Sequence, residues 1–318
     1  MSGGGRKHGR AATVLLLLLA LPAAWVVAHH GETWFRQLDS FDWNIKWEYL
    51  LLSTVILVVS YRFTPVGWTI LAKRAGSDTS APGLRRAWFT SQLGRYLPGK
   101  VWLFAGRAAF LKGKGLSGYR STMVPFLELL YTAAGAGLAT VPAALLSGGT
   151  SFTGPAMKAV AAAGISILVI PFLRPIQRKL YAFKYGKSPD DLPLPDRATS
   201  LRLLLLYALL WWTRGIVLYL WLLGFGIPGV GFFTCLAAAP VSWLAGYVIF
   251  LVPGGIGVRE AVLTAMVAPA GYTGPVLVAA GGQRLILSLV ELSFALTGTT
   301  GTTGVPDTGG GADDSGDP

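Results

Sequence analysis

Ten ionisable side chains sit inside otherwise apolar stretches of this chain: Arg62, Arg95, Lys100, Arg107, Arg214, Arg259 and Arg284, with the acids Glu128, Glu260 and Glu291. A charge at the centre of a bilayer costs about 2.5–3.5 kcal/mol on insertion scales, so such groups need partners, water or a ligand. The excess is positive and suits an anion. Lys100 and Arg107 are seven residues apart and share a helical face, with Phe104 between them. Arg284, Ser288 and Glu291 share another. Glu128 lies in the middle of PFLELLYTAAGAG, where burial disfavours its charged form unless an arginine compensates. The alternative to a ligand site is a set of structural pairs, such as Glu128 with Arg95 or Arg107. Arg62 and Arg214 stand apart from the others.

The residues needed for other chemistries are missing. His8, His29 and His30 are the three histidines, which leaves none for a triad or a metal site beyond residue 30. Cys235 is the one cysteine, so no intrachain disulfide or thiolate zinc cage can form. No metal site and no cofactor is expected. Gly254-Gly255-Ile256-Gly257 resembles a phosphate loop, but no GK[ST] follows, and it reads as a turn and close-packing element.

Composition gives these charges their setting. The chain is 53% hydrophobic and 13% charged with a net charge of +12, outside the range of soluble enzymes. Apolar runs fall at 13–28, 48–71, 121–147, 157–173, 203–223, 232–252 and 276–297, without the alternation of barrel strands. A span needs about 20 apolar residues, and backbone in lipid must satisfy its own hydrogen bonds. The expected fold class is therefore an all-α polytopic membrane protein. The first run has a rival reading: Arg6, Lys7 and Arg10 precede it, and Val26-Val27-Ala28 resembles a signal-peptidase site.

Segments 1–10, 72–87, 112–120 and 174–202 carry most of the 27 basic residues, whereas 29–47, 148–158, 224–231 and 271–275 hold only Arg36, Lys46 and Lys158. The positive-inside rule puts the first group, and the N-terminus, in the cytoplasm. Basic excess thus reflects topology and not a nucleic-acid partner. Segment 174–202 could also attract anionic headgroups.

Because 72–87 and 112–120 are both basic, the apolar stretch 88–111 between them must enter and leave on one side. Pro98-Gly99 sits at its middle. Proline removes a donor and disfavours helix before it, and glycine supplies the turn. The expectation is two half-helices, about 88–97 and 100–111; the alternative is one Pro-kinked span. A second broken unit runs from 232 through Pro253-Gly254-Gly255 to about 270 and opens to the outside. Half-helix N-termini after Pro98 and Pro253 would offer N–H donors to phosphate oxygens.

About six spans and two re-entrant hairpins result, three spans and one hairpin on each side of residue 148. An odd number of spans per half makes the halves antiparallel, an inverted repeat with its binding site near the interrupted segments. Spacing agrees: Glu128 follows Pro98 much as Arg284 follows Pro253, and Arg62 precedes Pro98 much as Arg214 precedes Pro253. The domain reading is a cytoplasmic N-terminus at 1–10, a membrane domain at 11–297 and a disordered acidic Gly/Thr/Asp tail at 298–318.

The stretch GRYLPGKVWLFAGRAAFLKGKGLS (94–117), Glu128, VPGGIGVREAVL (252–263) and Arg284 together resemble the lysylphosphatidylglycerol synthase transmembrane-region family, the flippase-like domain family, over about 11–297. The resemblance implies a membrane domain that binds or translocates a lipid with a charged or phosphorylated head, a phospholipid or a polyprenyl-phosphate-linked lipid. In relatives this domain is fused to a soluble aminoacyl-transferase or to a glycosyltransferase. The polar residues after the last span are too few for either. Lys100-Val101-Trp102 stands where many relatives carry an acid soon after the first proline.

Three functions follow as expectations: a flippase or translocator of lipid-linked intermediates, an intramembrane transferase with Glu128 or Glu260 as general base, or a non-transporting partner that recruits a separate soluble transferase. The missing histidines weigh against the enzyme, and the broken-helix pair favours the translocator. The candidate headgroup site is Arg95, Lys100, Arg107, Glu128, Arg259, Glu260 and Arg284. The re-entrant turns are Pro98 and Gly99, and Pro253, Gly254 and Gly255.

Overall fold

The structure is a computed structural model that describes residues 31–97, 101–146, 182, 195–248 and 255–300. Runs 13–28 and 157–173, most of segment 174–202, Pro98, Gly99, Lys100, Pro253, Gly254 and the tail beyond Thr300 lie outside the described residues. Within them the chain is helical throughout: α1 Trp47–Phe63, α2 Val66–Arg74, α3 Ala81–Gln92, a 3-10 turn Leu93–Tyr96, α4 Val101–Gly113, α5 Gly118–Leu146, α6 Arg197–Gly224, α7 Phe232–Val248, α8 Val258–Val267 and α9 Thr273–Thr300.

The helices are inside-out relative to those of a soluble protein. On α9, Leu285, Leu289, Leu292 and Leu296 are exposed, while Glu291 is buried. On α6, Leu201, Leu205 and Leu209 form an exposed stripe. Water would not tolerate such large apolar faces, but lipid tails match them. Four stretches are long and apolar enough to cross a bilayer: Trp47–Arg74, Gly118–Leu146, Arg197–Gly224 and Thr273–Thr297. The chain is a multi-pass membrane protein.

Three expected boundaries shift. The run at 48–71 bends between α1 and α2, where Pro65 has no N–H to continue the ladder. Segment 72–87 is not all loop: Ser80 accepts the Gly83 N–H and Pro82 occupies the first turn, so α3 starts at Ala81 and carries Arg85 and Arg86. The limbs of the first broken unit are accordingly 81–92 with its 3-10 extension, and 101–113, in place of 88–97 and 100–111.

The first broken unit is a hairpin. Gly94 lies against the backbone of Leu103, Ser91 lies against Gly106, and Arg107 Nε donates to Ser91 Oγ at 2.9 Å. Rising numbers on one limb meet falling numbers on the other, so α3 and α4 run antiparallel, which a kinked single span could not do. The second unit also turns back on itself. Arg259 on α8 crosses Gly246 on α7, and the turn at Gly255 (φ +69°) comes back onto the Gly246 carbonyl. Gly257 has φ +83°, so the turn uses glycine where other residues would be strained.

Corresponding spans of the two halves are also antiparallel. Along α1 and α6, the Lys46 N–H donates to Gly224 O at 2.8 Å, Ser53 Oγ donates to Val217 O at 2.9 Å, and Gly67 approaches Tyr207. The halves interlock: α5 packs on α7 and α9 packs on α3, so each long helix after a hairpin lies against the other half's hairpin. Indole N–H groups pin the bundle, Trp211 and Trp212 to Thr132 O and Ala139 O on α5, and Trp221 to Ala279 O on α9. Small residues allow close approach, as at Gly135 against Tyr207 and Gly215 against the Leu236 backbone.

At one end, Asp196 caps α6 by accepting the Thr199 N–H at 2.7 Å and pairs with Arg74 at 2.6 Å. The backbone N–H first, and Arg74 with it, hold this carboxyl down at about 2. Its stabilising effect is present above the ordinary carboxylate range and is lost as pH falls towards 2.

A cysteine pair tests the hairpin. A Cβ at position 106 would lie 3.9 Å from that of Ser91, within disulfide range. In a Cys235→Ala background, Ser91→Cys with Gly106→Cys should oxidise to an intramolecular crosslink detectable by peptide mass spectrometry. A continuous helix would separate these positions by about 22 Å and yield none.

Candidate functional site

A cavity of about 260 Å³ lies where the halves meet. Its wall takes Leu57, Tyr61, Trp88, Tyr207 and Val217 from one hydrophobic core and Leu218, Leu263 and Ala280 from the other. Every helix from α1 to α9 except α2 contributes, as does the 3-10 turn through Arg95. Five arginines line it, Arg95, Arg107, Arg214, Arg259 and Arg284, against three glutamates, Glu128, Glu260 and Glu291.

Each glutamate holds one arginine. Glu128 on α5 pairs with Arg107 on α4 and accepts the Trp88 indole N–H from α3 at 2.6 Å. Arg107 spends its Nε on Ser91 and lies 4.9 Å from the Trp88 ring centroid. These side chains are 4% and 6% exposed, so one pair locks both hairpin limbs to the next span. Of the two partners considered for Glu128, the structure chooses Arg107. In the second half the signs are exchanged: Arg284 on α9 donates to Glu260 on α8 at 2.8 Å. Glu260 also accepts the Gly257 N–H at 2.6 Å. That N–H, expected to await a phosphate oxygen at the start of α8, is already used.

The third pair crosses between halves. Arg95 in the 3-10 turn pairs with Glu291 on α9, and Tyr96 Oη donates to the same carboxylate at 2.7 Å. The tip of the first hairpin is thereby tied to the last helix. Glu291 shares a face with Arg284 in the sequence but was absent from the candidate headgroup residues. Nothing in the sequence singled out Ser91, Trp88 or Tyr96.

Arg214 and Arg259 remain. Neither forms an ion pair among the described residues, and Arg214 Nη1 and Arg259 Nε are buried without a hydrogen-bond partner there. Arg214 lies over the Tyr61 ring at 5.3 Å. The spacing analogy between Arg62 and Arg214 does not hold in space, since Arg62 is exposed at the end of α1. Arg95, Arg107, Glu128, Arg259, Glu260 and Arg284 are thus brought to one cavity, whereas Lys100 lies outside the described residues.

The model of the lysylphosphatidylglycerol synthase TM region family matches residues 11–290. The chain belongs to that family. No curated protein matches the chain. Membership of the lysylphosphatidylglycerol synthase TM region family places the chain among membrane domains concerned with lipid modification or translocation.

The buried pair makes a direct prediction. Glu128→Gln leaves Arg107 uncompensated in an apolar wall, which typically costs about 3–5 kcal/mol. The thermal midpoint of the purified protein should fall sharply, and Arg107→Gln in the same chain should restore part of it. Exposed Arg62→Gln should leave the midpoint unchanged.

Proposed function

We propose that the chain is a lipid translocator of the cell membrane, a flippase or carrier of lipid-linked intermediates, that takes an anionic or phosphorylated headgroup into the cavity between its hairpins. The observation that carries this reading is the excess of five arginines over three glutamates in a cavity walled by both halves. A guanidinium without a counter-charge in an apolar bundle is costly, and an incoming phosphoryl group relieves that cost. Broken helices at the interface of inverted repeats are the recurring place for a transported substrate.

Of the candidate residues, Arg259 meets the head directly, while Arg95, Arg107 and Arg284, held by Glu291, Glu128 and Glu260, form the fixed wall. The basic segments support a cytoplasmic N-terminus and a first hairpin that opens to the cytoplasm. We read the domain as non-catalytic, because each cavity carboxylate is tied to an arginine and no histidine occurs beyond residue 30. A separate soluble transferase is the partner class this implies.

Proteoliposomes with tail-labelled NBD phosphatidic acid or phosphatidylglycerol test the reading. Externally added dithionite should quench inner-leaflet probe in vesicles that contain the protein and spare it in empty ones. Arg259→Gln should slow that phase about tenfold or more, the weight of one charge-assisted contact. Lipid binding without any quenching beyond the outer leaflet would instead favour a non-transporting anchor for the transferase.

A further inference from the structure

The three glutamates of the cavity are each engaged by one arginine, through Arg107–Glu128, Arg95–Glu291 and Arg284–Glu260. Among the described residues two positive charges are left, on Arg214 of α6 and Arg259 of α8, both lining the cavity. Both line the cavity that the Arg95–Glu291 pair also lines. Arg259 is seated by Gly246, where any Cβ would fall 2.4 Å from Arg259 Cγ. Beside Arg214, the Tyr61 hydroxyl is buried and has no hydrogen-bond partner among the described residues. Arg214 Nη1, Arg259 Nε and the Tyr61 hydroxyl thus present buried donors with no acceptor among the described residues.

We propose that Arg214, Arg259 and Tyr61 select a doubly charged phosphoryl head, a phosphate monoester or a diphosphate, over a singly charged phosphodiester. The inference rests on the reading of the cavity as a headgroup site and names the class of head. Two uncompensated cations in a low-dielectric wall are neutralised by a dianion and only half neutralised by a monoanion. A monoester approaches two charges at neutral pH because its second ionisation lies near about pH 6; a diester has no second ionisation. A monoester also presents three terminal oxygens, enough for both guanidinium forks and the tyrosine. A lysyl ester of phosphatidylglycerol, whose two amines outweigh its phosphate, meets like charge in this cavity.

Binding of three probes to the purified full chain, measured by calorimetry in one detergent, tests the proposal: dioctanoyl phosphatidic acid, dioctanoyl phosphatidylglycerol and glycerol 3-phosphate. At pH 8 phosphatidic acid should bind about tenfold or more tightly than phosphatidylglycerol. That preference should shrink towards parity by pH 5 as the monoester loses its second charge, a readout that needs no substitution. Arg214→Gln and Arg259→Gln should each reduce the preference at pH 8.

Equal affinity for the two lipids at pH 8 would overturn the dianion assignment and leave the headgroup site standing. Glycerol 3-phosphate bound as tightly as phosphatidic acid would keep the dianion assignment but remove the lipid. Failure of both lipids to bind would overturn both.

Discussion

A charge inside an apolar bundle must be answered, and the architecture is organised around how this chain answers its own. Glu128, Glu260 and Glu291 each take one guanidinium, and each pair joins two elements that also pack against each other. Glu128 binds both limbs of the first hairpin to α5. Glu260 ties the start of α8 to α9 and closes the turn before it. Glu291 holds the first hairpin against the second half. The hydrophobic effect offers little to choose between arrangements when the solvent is lipid, so packing and polar contacts of this kind select one.

The antiparallel arrangement of the halves sets these pairs around one cavity. Antiparallel α1 and α6 set the halves side by side, and the exchange of α5 and α9 brings both hairpins to one cavity. Each half supplies a carboxylate–guanidinium pair between the second limb of its hairpin and the following helix, with acid and base exchanged. Arg214 and Arg259 form no ion pair among the described residues. The proposed role of the cavity rests on that surplus.

Much of this was legible in the sequence because local signals are strong in membrane proteins. Apolar length pointed to the helices, and the Pro-Gly stretches within apolar runs pointed to two places where the chain turns back. The limits of α3 were less legible, because Arg85 and Arg86 look like loop charges until Ser80 and Pro82 are recognised as a helix start. Partner choice was harder still. Arg95 and Glu291 are 196 residues apart, and no periodicity reports a contact at that range. Arg214 looked like a twin of Arg62 by spacing, yet one faces the cavity and the other is exposed, because adjacent helix positions point about 100° apart and Tyr61 occupies the inward one.

The account depends most on the two unanswered arginines holding a lipid head. Native mass spectrometry of the chain extracted from membranes and stripped of loosely held lipid measures this directly. The chain and its Arg62→Gln variant should each retain a phosphate-bearing lipid, identifiable by fragmentation, and Arg214→Gln and Arg259→Gln should lose it while remaining folded. Equal retention in all four proteins would place the lipid elsewhere and contradict the account.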